Sequence, residues 1–197
     1  MPLITTRASV AYGAGFGKVL GSSVEVDNGV MFPIGTVILT SSTNTITFTS
    51  IPSTYTHLQL RGIFRTDYST GAGGYLRLNN DQTSNIYRAH VLYANGSGVE
   101  SVDAGALSTG MYWGSDTGVS SGANSYGYNV ADFIDYKNTN KFKTVRILSG
   151  KEDNSQGVVQ LTSGLYKSTT AISRIDLIIG GAANWVAGTT VSLYGIL

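Results

Sequence analysis

The stretch Asn44-Thr45-Ile46-Thr47-Phe48-Thr49 decides the fold class, because its apolar and polar residues alternate one by one. This is the period of a β-strand, in which successive side chains point to opposite faces of a sheet. Ile46 and Phe48 therefore belong to an apolar face, and the threonines belong to a polar one. The same alternation continues over residues 55–65, which predicts a second, longer strand.

Further strand patterns follow along the chain, and turn residues rich in Gly, Asn and Asp separate them. They lie at residues 36–40, 44–49, 55–65, 75–78, 86–94, 107–113, 128–136, 142–148, 158–161, 172–179 and 190–196. We therefore predict about ten strands and no helix of useful length. This pattern favours an all-β fold, a β-sandwich of jelly-roll type, over any α/β fold. The main alternative is an immunoglobulin-like sandwich, but the Cys and Trp pattern of that fold is missing.

The first 33 residues differ from the rest of the chain. Small residues alternate there with isolated aromatic residues, including Tyr12 and Phe16, and no periodicity would let this segment bury itself. We therefore predict an extended N-terminal anchoring arm over residues 1–33 and a sandwich domain over residues 34–197. Tyr12 and Phe16 are the candidate anchoring residues of the arm.

Charge and composition exclude several classes of function. Only 13% of the residues are charged and the net charge is +1, so there is no basic field for nucleic acid. No run approaches the ~20 apolar residues of a membrane span, and the opening residues do not form a secretory signal. The chain has no Cys and only 2 His. We therefore expect no disulfide, no metal site and no cofactor.

The residues that catalysis needs are also scarce. His57 and His90 are the only imidazoles, and each lies within an alternating strand. Asp132 and Asp135 stand an odd number of positions apart, so a regular strand would point them to opposite faces. Such a pair cannot flank one glycosidic bond. The sequence therefore predicts a protein that is not an enzyme.

One aromatic group stands out in the Gly/Ser-rich region that begins at residue 95. It consists of Tyr112, Trp113, Tyr126 and Tyr128. Aromatic side chains on a polar, adaptable background are typical of binding surfaces, including surfaces that stack on sugars. The alternative, which we favour for Trp113, is that these side chains pack in the core or between subunits.

Five stretches of the sequence resemble bacteriophage virion structural proteins, particularly the tail-fibre-like or capsid-associated proteins of cyanophages and marine phages. They are Ile51-Pro52-Ser53-Thr54-Tyr55-Thr56-His57-Leu58-Gln59-Leu60-Arg61, Asn85-Ile86-Tyr87-Arg88-Ala89-His90, Asp135-Tyr136-Lys137-Asn138-Thr139-Asn140-Lys141-Phe142-Lys143-Thr144, Ser163-Gly164-Leu165-Tyr166-Lys167-Ser168-Thr169-Thr170-Ala171-Ile172 and Ser192-Leu193-Tyr194-Gly195-Ile196. Together they span the chain from about residue 50 onward.

The resemblance implies a non-enzymatic part of a phage particle, assembled in the host cytoplasm. Such a protein would be a capsid-decorating, cement or tail-associated component, held to other virion proteins by its N-terminal arm. By family analogy it would be a homotrimer. The alternative is a tail-fibre adhesin that binds a host-surface glycan. The resemblance brings no catalytic residues.

Overall fold

The structure is a computed structural model that describes residues 18–20, 23–25, 31–69, 73–115, 117–152 and 157–197. All regular structure in these ranges is β-strand. The strands are β1 Lys18–Leu20, β2 Ser23–Glu25, β3 Met31–Ile38, β4 Thr45–Phe48, β5 His57–Phe64, β6 Gly73–Leu78, β7 Tyr87–Asn95, β8 Gly98–Leu107, β9 Met111–Ser115, β10 Gly127–Phe133, β11 Lys143–Lys151, β12 Val158–Tyr166, β13 Ile175–Ile179 and β14 Thr190–Ile196.

Twelve of these strands form two antiparallel sheets that pack face to face. The large sheet has 8 strands in the order β3-β14-β5-β10-β11-β12-β7-β8. The small sheet has 4 strands in the order β4-β13-β6-β9. Strands β1 and β2 pair with each other as a separate hairpin. The predicted all-β sandwich is therefore confirmed.

Successive strands often change sheet along the chain: β3, β5, β10 and β14 lie in the large sheet, and β4, β6, β9 and β13 lie in the small one. Such crossing between two sheets is compatible with a jelly roll, whose assignment stays a prediction. Two hairpin-like additions, β7–β8 and β11–β12, widen the large sheet alone. As a result, the large sheet extends beyond the area that the small sheet covers.

Alternation within the strands places the core between the sheets. In β5 the residues Leu58, Leu60 and Phe64 are fully buried, whereas Gln59 and Arg61 face outward. The ring of Phe64 packs edge-on against Trp113 at 5.3 Å between centroids, and it contacts Trp185 at 5.2 Å. These three rings form the centre of the core.

The sandwich begins earlier than predicted. Strand β3 begins at Met31, which pairs with Ile196 of β14, so residues 31–33 belong to the large sheet. Lys18 pairs with Glu25 in the β1–β2 hairpin, inside the predicted arm. Tyr12 and Phe16 lie outside the described residues, and the anchoring arm stays a prediction.

Candidate assembly surface

The outer surface of the large sheet, which faces away from the core, carries two adjacent rows of side chains that are mostly apolar from β10 to β8 and more polar on β3, β14 and β5. Each row consists of residues that lie opposite one another on neighbouring strands, because such residues point to the same face of the sheet. Row one is Ile38, Thr190, Ile63, Tyr128, Gly150, Val159, Ala94 and Val99. Row two is Thr36, Ser192, Arg61, Val130, Leu148, Leu161, Leu92 and Ser101. We call rows one and two together the apolar face.

The side chains of the apolar face are exposed to solvent. Leu148, Leu161 and Leu92 stand side by side on three successive strands and are 49%, 38% and 47% exposed. Val159 and Val99 flank them at 61% and 71%. Single exposed hydrophobic residues are ordinary, but a contiguous group of this kind marks an interaction site.

A third row borders the apolar face with charge. It contains Asp132 opposite Arg146, and His90 opposite Asp103. The His90 and Asp103 side chains approach to 3.6 Å, and Arg88 lies 3.3 Å from the same carboxylate. The Gly105 amide, aided by His90 and Arg88, lowers the pKa of Asp103. The border therefore carries charges of both signs and has no strong net charge.

The dimensions of this surface suit a stable protein interface. Strands lie about 4.8 Å apart and same-face residues about 6.8 Å apart along a strand, so eight strands and three rows cover about 800 Å². A standard interface buries about 800 Å² on each partner, with an apolar centre and a polar rim. The apolar face and its charged border therefore have both the size and the arrangement of an interface.

The four predicted aromatic residues lie in different places. Trp113 is fully buried in the core, so its ring cannot stack on a sugar. Tyr112 stacks on Tyr75 at 5.7 Å between ring centroids, on the outer side of the small sheet. The Tyr126 hydroxyl donates to the Ala187 carbonyl at 3.1 Å. Tyr128 is the member that belongs to the apolar face, where it is 47% exposed.

The segment before Tyr126 is held in place by Arg65. The guanidinium donates from Nη1 to the Gly122 carbonyl at 2.9 Å and to the Ser125 carbonyl at 2.8 Å. Thr117 is fully buried, and its hydroxyl donates to the Ser125 carbonyl at 2.8 Å. The described part of this segment is therefore bound to the sandwich rather than displayed as a free binding loop.

A shallow groove of about 200 Å³ lies where the large sheet extends past β9. Its lining residues are Gly73, Val91, Tyr93, Val102, Tyr112, Gly114 and Gln160. The Tyr93 hydroxyl donates to the Glu100 carboxylate at 2.6 Å, and Glu100 raises the pKa of this tyrosine. The groove thus combines two aromatic rings with few polar groups.

The histidines and aspartates have structural partners. The Asp135 amide donates to His57 Nδ1 at 3.0 Å, which requires that nitrogen to be unprotonated. Asp135 follows the end of β10, where its φ of 51° belongs to a turn, and its carboxylate contacts Lys141 at 3.1 Å. Asp132 instead accepts from Gln59 at 2.6 Å on the outer surface of the sheet.

Within the described ranges, no group of three or more His, Cys, Asp or Glu side chains is placed to hold a metal ion. No helix in the same ranges is long and apolar enough to span a membrane. No protein-family model matches the sequence, and no curated protein matches it.

The sequence analysis did not predict the apolar face. The sequence does contain one indication of this face. Ile147-Leu148 in β11 and Val158-Val159 in β12 each place apolar residues on both sides of their own strand.

Proposed function

We propose that this protein is a non-enzymatic structural component of a phage particle, and that its sandwich associates with further copies of itself through the apolar face. The observation that carries the proposal is the contiguous exposed group of Leu148, Leu161, Leu92 and Val159 on one surface. The resemblance of the sequence to virion structural proteins supports a place in a phage particle. A surface that binds further copies suits a capsid-decorating or tail-associated protein.

The free-energy argument favours burial of this face. Each aliphatic side chain of this size gains about 1.5–3 kcal/mol when it passes fully from water to an apolar environment. The central residues are already about half covered by their neighbours, so each would gain roughly half of that on association. Several such side chains together can offset part of the entropy lost when subunits associate.

Another copy is the occupant that fits. The third row carries charges of both signs, so the border offers no strong field to attract a partner of opposite charge. Three copies whose apolar faces turn toward a common axis would remove these faces from water, which agrees with the predicted homotrimer. The N-terminal arm would then attach the trimer to other capsid or tail proteins.

The test compares two valines of similar exposure. Val159 lies on the apolar face at 61% exposure, and Val119 lies away from both sheets at 52%. Light scattering on the purified chain should show trimers for the parent and for Val119→Lys, whereas Val159→Lys should form no trimer. Far-ultraviolet circular dichroism would check that both variants keep the β fold. A parent protein that stays monomeric up to high micromolar concentration contradicts the proposal.

Particle location needs a separate measurement. Electron micrographs of phage particles that carry a labelled copy of the chain should show the label on the capsid or the tail. Label found only in the unassembled fraction would contradict the virion role while leaving the self-association result intact.

A glycan-binding adhesin is the second candidate, and the groove beside β9 favours it. Tyr93 and Tyr112 place two rings next to a shallow opening, and aromatic rings stack on the apolar faces of sugars. Tyr112→Ala should lower glycan affinity about tenfold or more if the groove is the binding site. Tyr68→Ala is the control, since Tyr68 is exposed outside the groove. Equal binding by both variants would contradict this function.

A further inference from the structure

Strand β8 forms one edge of the large sheet, and no strand in the described part of the chain lies beyond it. Its residues 98–103 are exposed. Val99 and Val102 point to opposite faces and are 71% and 43% exposed, so neither side of this strand is covered. A strand in this position presents a line of unpaired backbone groups to solvent.

The hairpin geometry shows which backbone groups are free. Strands β7 and β8 are joined by a two-residue turn, and Asn95 pairs with Gly98 at its base. Hydrogen-bonded and non-bonded pairs alternate along an antiparallel ladder. Counting from this turn, the N–H and C=O groups of Val99, Ser101 and Asp103 point away from β7. These three residues are the free edge.

The free edge lacks some of the devices that usually prevent edge pairing. Lys, Pro, β-bulges and inward-pointing charges are typical protections of an edge strand, and of these the free edge has carboxylates, which bond within the chain: Glu100 to Tyr93 and Asp103 to Arg88. Residues 98–103 contain neither Lys nor Pro, and the register shift of this pair comes only after His90 and Asp103. The opposite edge, β3, contains Pro33, and its pairing with β14 shifts register between Leu193 and Tyr194. Of the two edges of the large sheet in the described residues, β8 is the one with a regular stretch that contains no Pro.

We propose that two copies of this chain pair through β8, antiparallel and centred on Ser101. In this register Ser101 lies opposite Ser101 of the second copy, and Val99 lies opposite Asp103. Glu100 lies opposite Val102. The two large sheets would then form one continuous sheet across the pair, with backbone hydrogen bonds along the joined edges.

Charge selects this register over its neighbours. Centring the pair on Glu100 would place two carboxylates directly opposite each other, and centring it on Asp103 would do the same, which destabilises a sheet. Centring it on Val99 would run the pairing into the Gly96-Ser97 turn. Centring it on Val102 would extend the pairing into the irregular region after Asp103. The Ser101 register places no two charged residues opposite each other and stays within the regular segment.

The edge contact is distinct from the apolar face because it uses the backbone edge of β8, although the side chains of Val99 and Ser101 also lie on that face. The next step rests on the proposed function: if the face makes trimers, a two-fold contact at β8 would join the trimers to one another. Three-fold and two-fold contacts in one chain join trimers into a larger assembly. The partner of the edge is therefore a neighbouring copy on the same particle.

The absence of Cys from the sequence makes a clean cross-linking test possible. Opposed residues of a hydrogen-bonded antiparallel pair have Cα atoms about 5.5 Å apart, within the range of a disulfide. Ser101→Cys should therefore give a covalent dimer on mild oxidation. In Val99→Cys the two introduced thiols would stand about 13 Å apart, so this variant alone should stay uncross-linked. A mixture of Val99→Cys with Asp103→Cys should cross-link again.

These outcomes separate the edge contact from the face contact. Ser101→Cys combined with Val159→Lys should still cross-link, even though Val159→Lys removes association through the face. Failure of Ser101→Cys to cross-link, or cross-linking of Val99→Cys alone to the same extent, would overturn the edge proposal. Loss of the cross-link in the Val159→Lys background would show that the contact depends on the face, which also overturns it.

Discussion

Replacement of Trp113 by alanine should destabilise the fold and should not remove a surface binding site. The ring is fully buried, packs edge-on against Phe64 and stands next to Gly74, where an added Cβ would lie 3.2 Å from Trp113 Cδ1. A buried indole covers about 200 Å², worth about 5 kcal/mol at 25 cal/mol per Å². Measured Trp→Ala changes in cores cost about 3–5 kcal/mol, so we expect a loss within that range.

The assay is denaturant unfolding of Trp113→Ala and Tyr112→Ala, followed by circular dichroism, with the unfolding free energies extrapolated to water. Tyr112 is the matched control, because it is the neighbouring aromatic residue and points to the other side of β9, against Tyr75. Tyr112→Ala should cost clearly less than Trp113→Ala. A loss below about 1 kcal/mol for Trp113→Ala would refute the assignment of Trp113 to the core.

Three further predictions follow. Deleting residues 1–30, which leaves β3 intact, should preserve the melting temperature of the sandwich but abolish incorporation into particles; normal incorporation would exclude the anchoring role. Asp67 accepts hydrogen bonds from the Asn184 side chain and amide, which lower the pKa of Asp67 below that of a free aspartate. Its contribution to stability is therefore present above the pKa of an unfolded aspartate and lost as the pH falls through the lower, folded pKa, so Asp67→Asn should flatten the acid limb of the stability profile. In Gly164→Ala the new methyl group would overlap the Met111 sulfur, which should lower the unfolding free energy by about 1–3 kcal/mol in denaturant titrations; an unchanged value would contradict the tight packing there.

The sequence alone was sufficient for the strands with clear alternation. Strands β4 and β5 follow the predicted pattern because each has one buried and one exposed side, which leaves a period-two signal. Strand β8 was missed for the opposite reason. Residues 98–103 are exposed on both sides of the strand. Because neither side is buried, neither side needs apolar residues, and the sequence shows no alternation there. Its Gly, Ser, Glu and Asp residues looked like those of a loop.

The candidate surface was harder to predict than the fold. Leu148, Leu161 and Leu92 belong to three strands that are far apart in the sequence and adjacent only in the sheet. A single strand shows that apolar residues occupy both of its sides, but only the strand order shows that these residues meet. The predicted aromatic group was scattered for a similar reason. Tyr112 and Trp113 are neighbours in sequence, but they point to opposite sides of β9.

The position of β14 has a consequence for how the chain reaches its fold. This strand lies between β3 and β5, and the Thr36 and Ser192 hydroxyls that bond across β3 and β14 are 156 positions apart in sequence. Until β14 has been synthesised, β3 and β5 each lack a neighbour and expose an unpaired edge. Contacts between such distant residues slow folding and lengthen the time during which exposed edges can aggregate. A ribosome-bound chain therefore keeps the edges of β3 and β5 exposed until β14 has emerged.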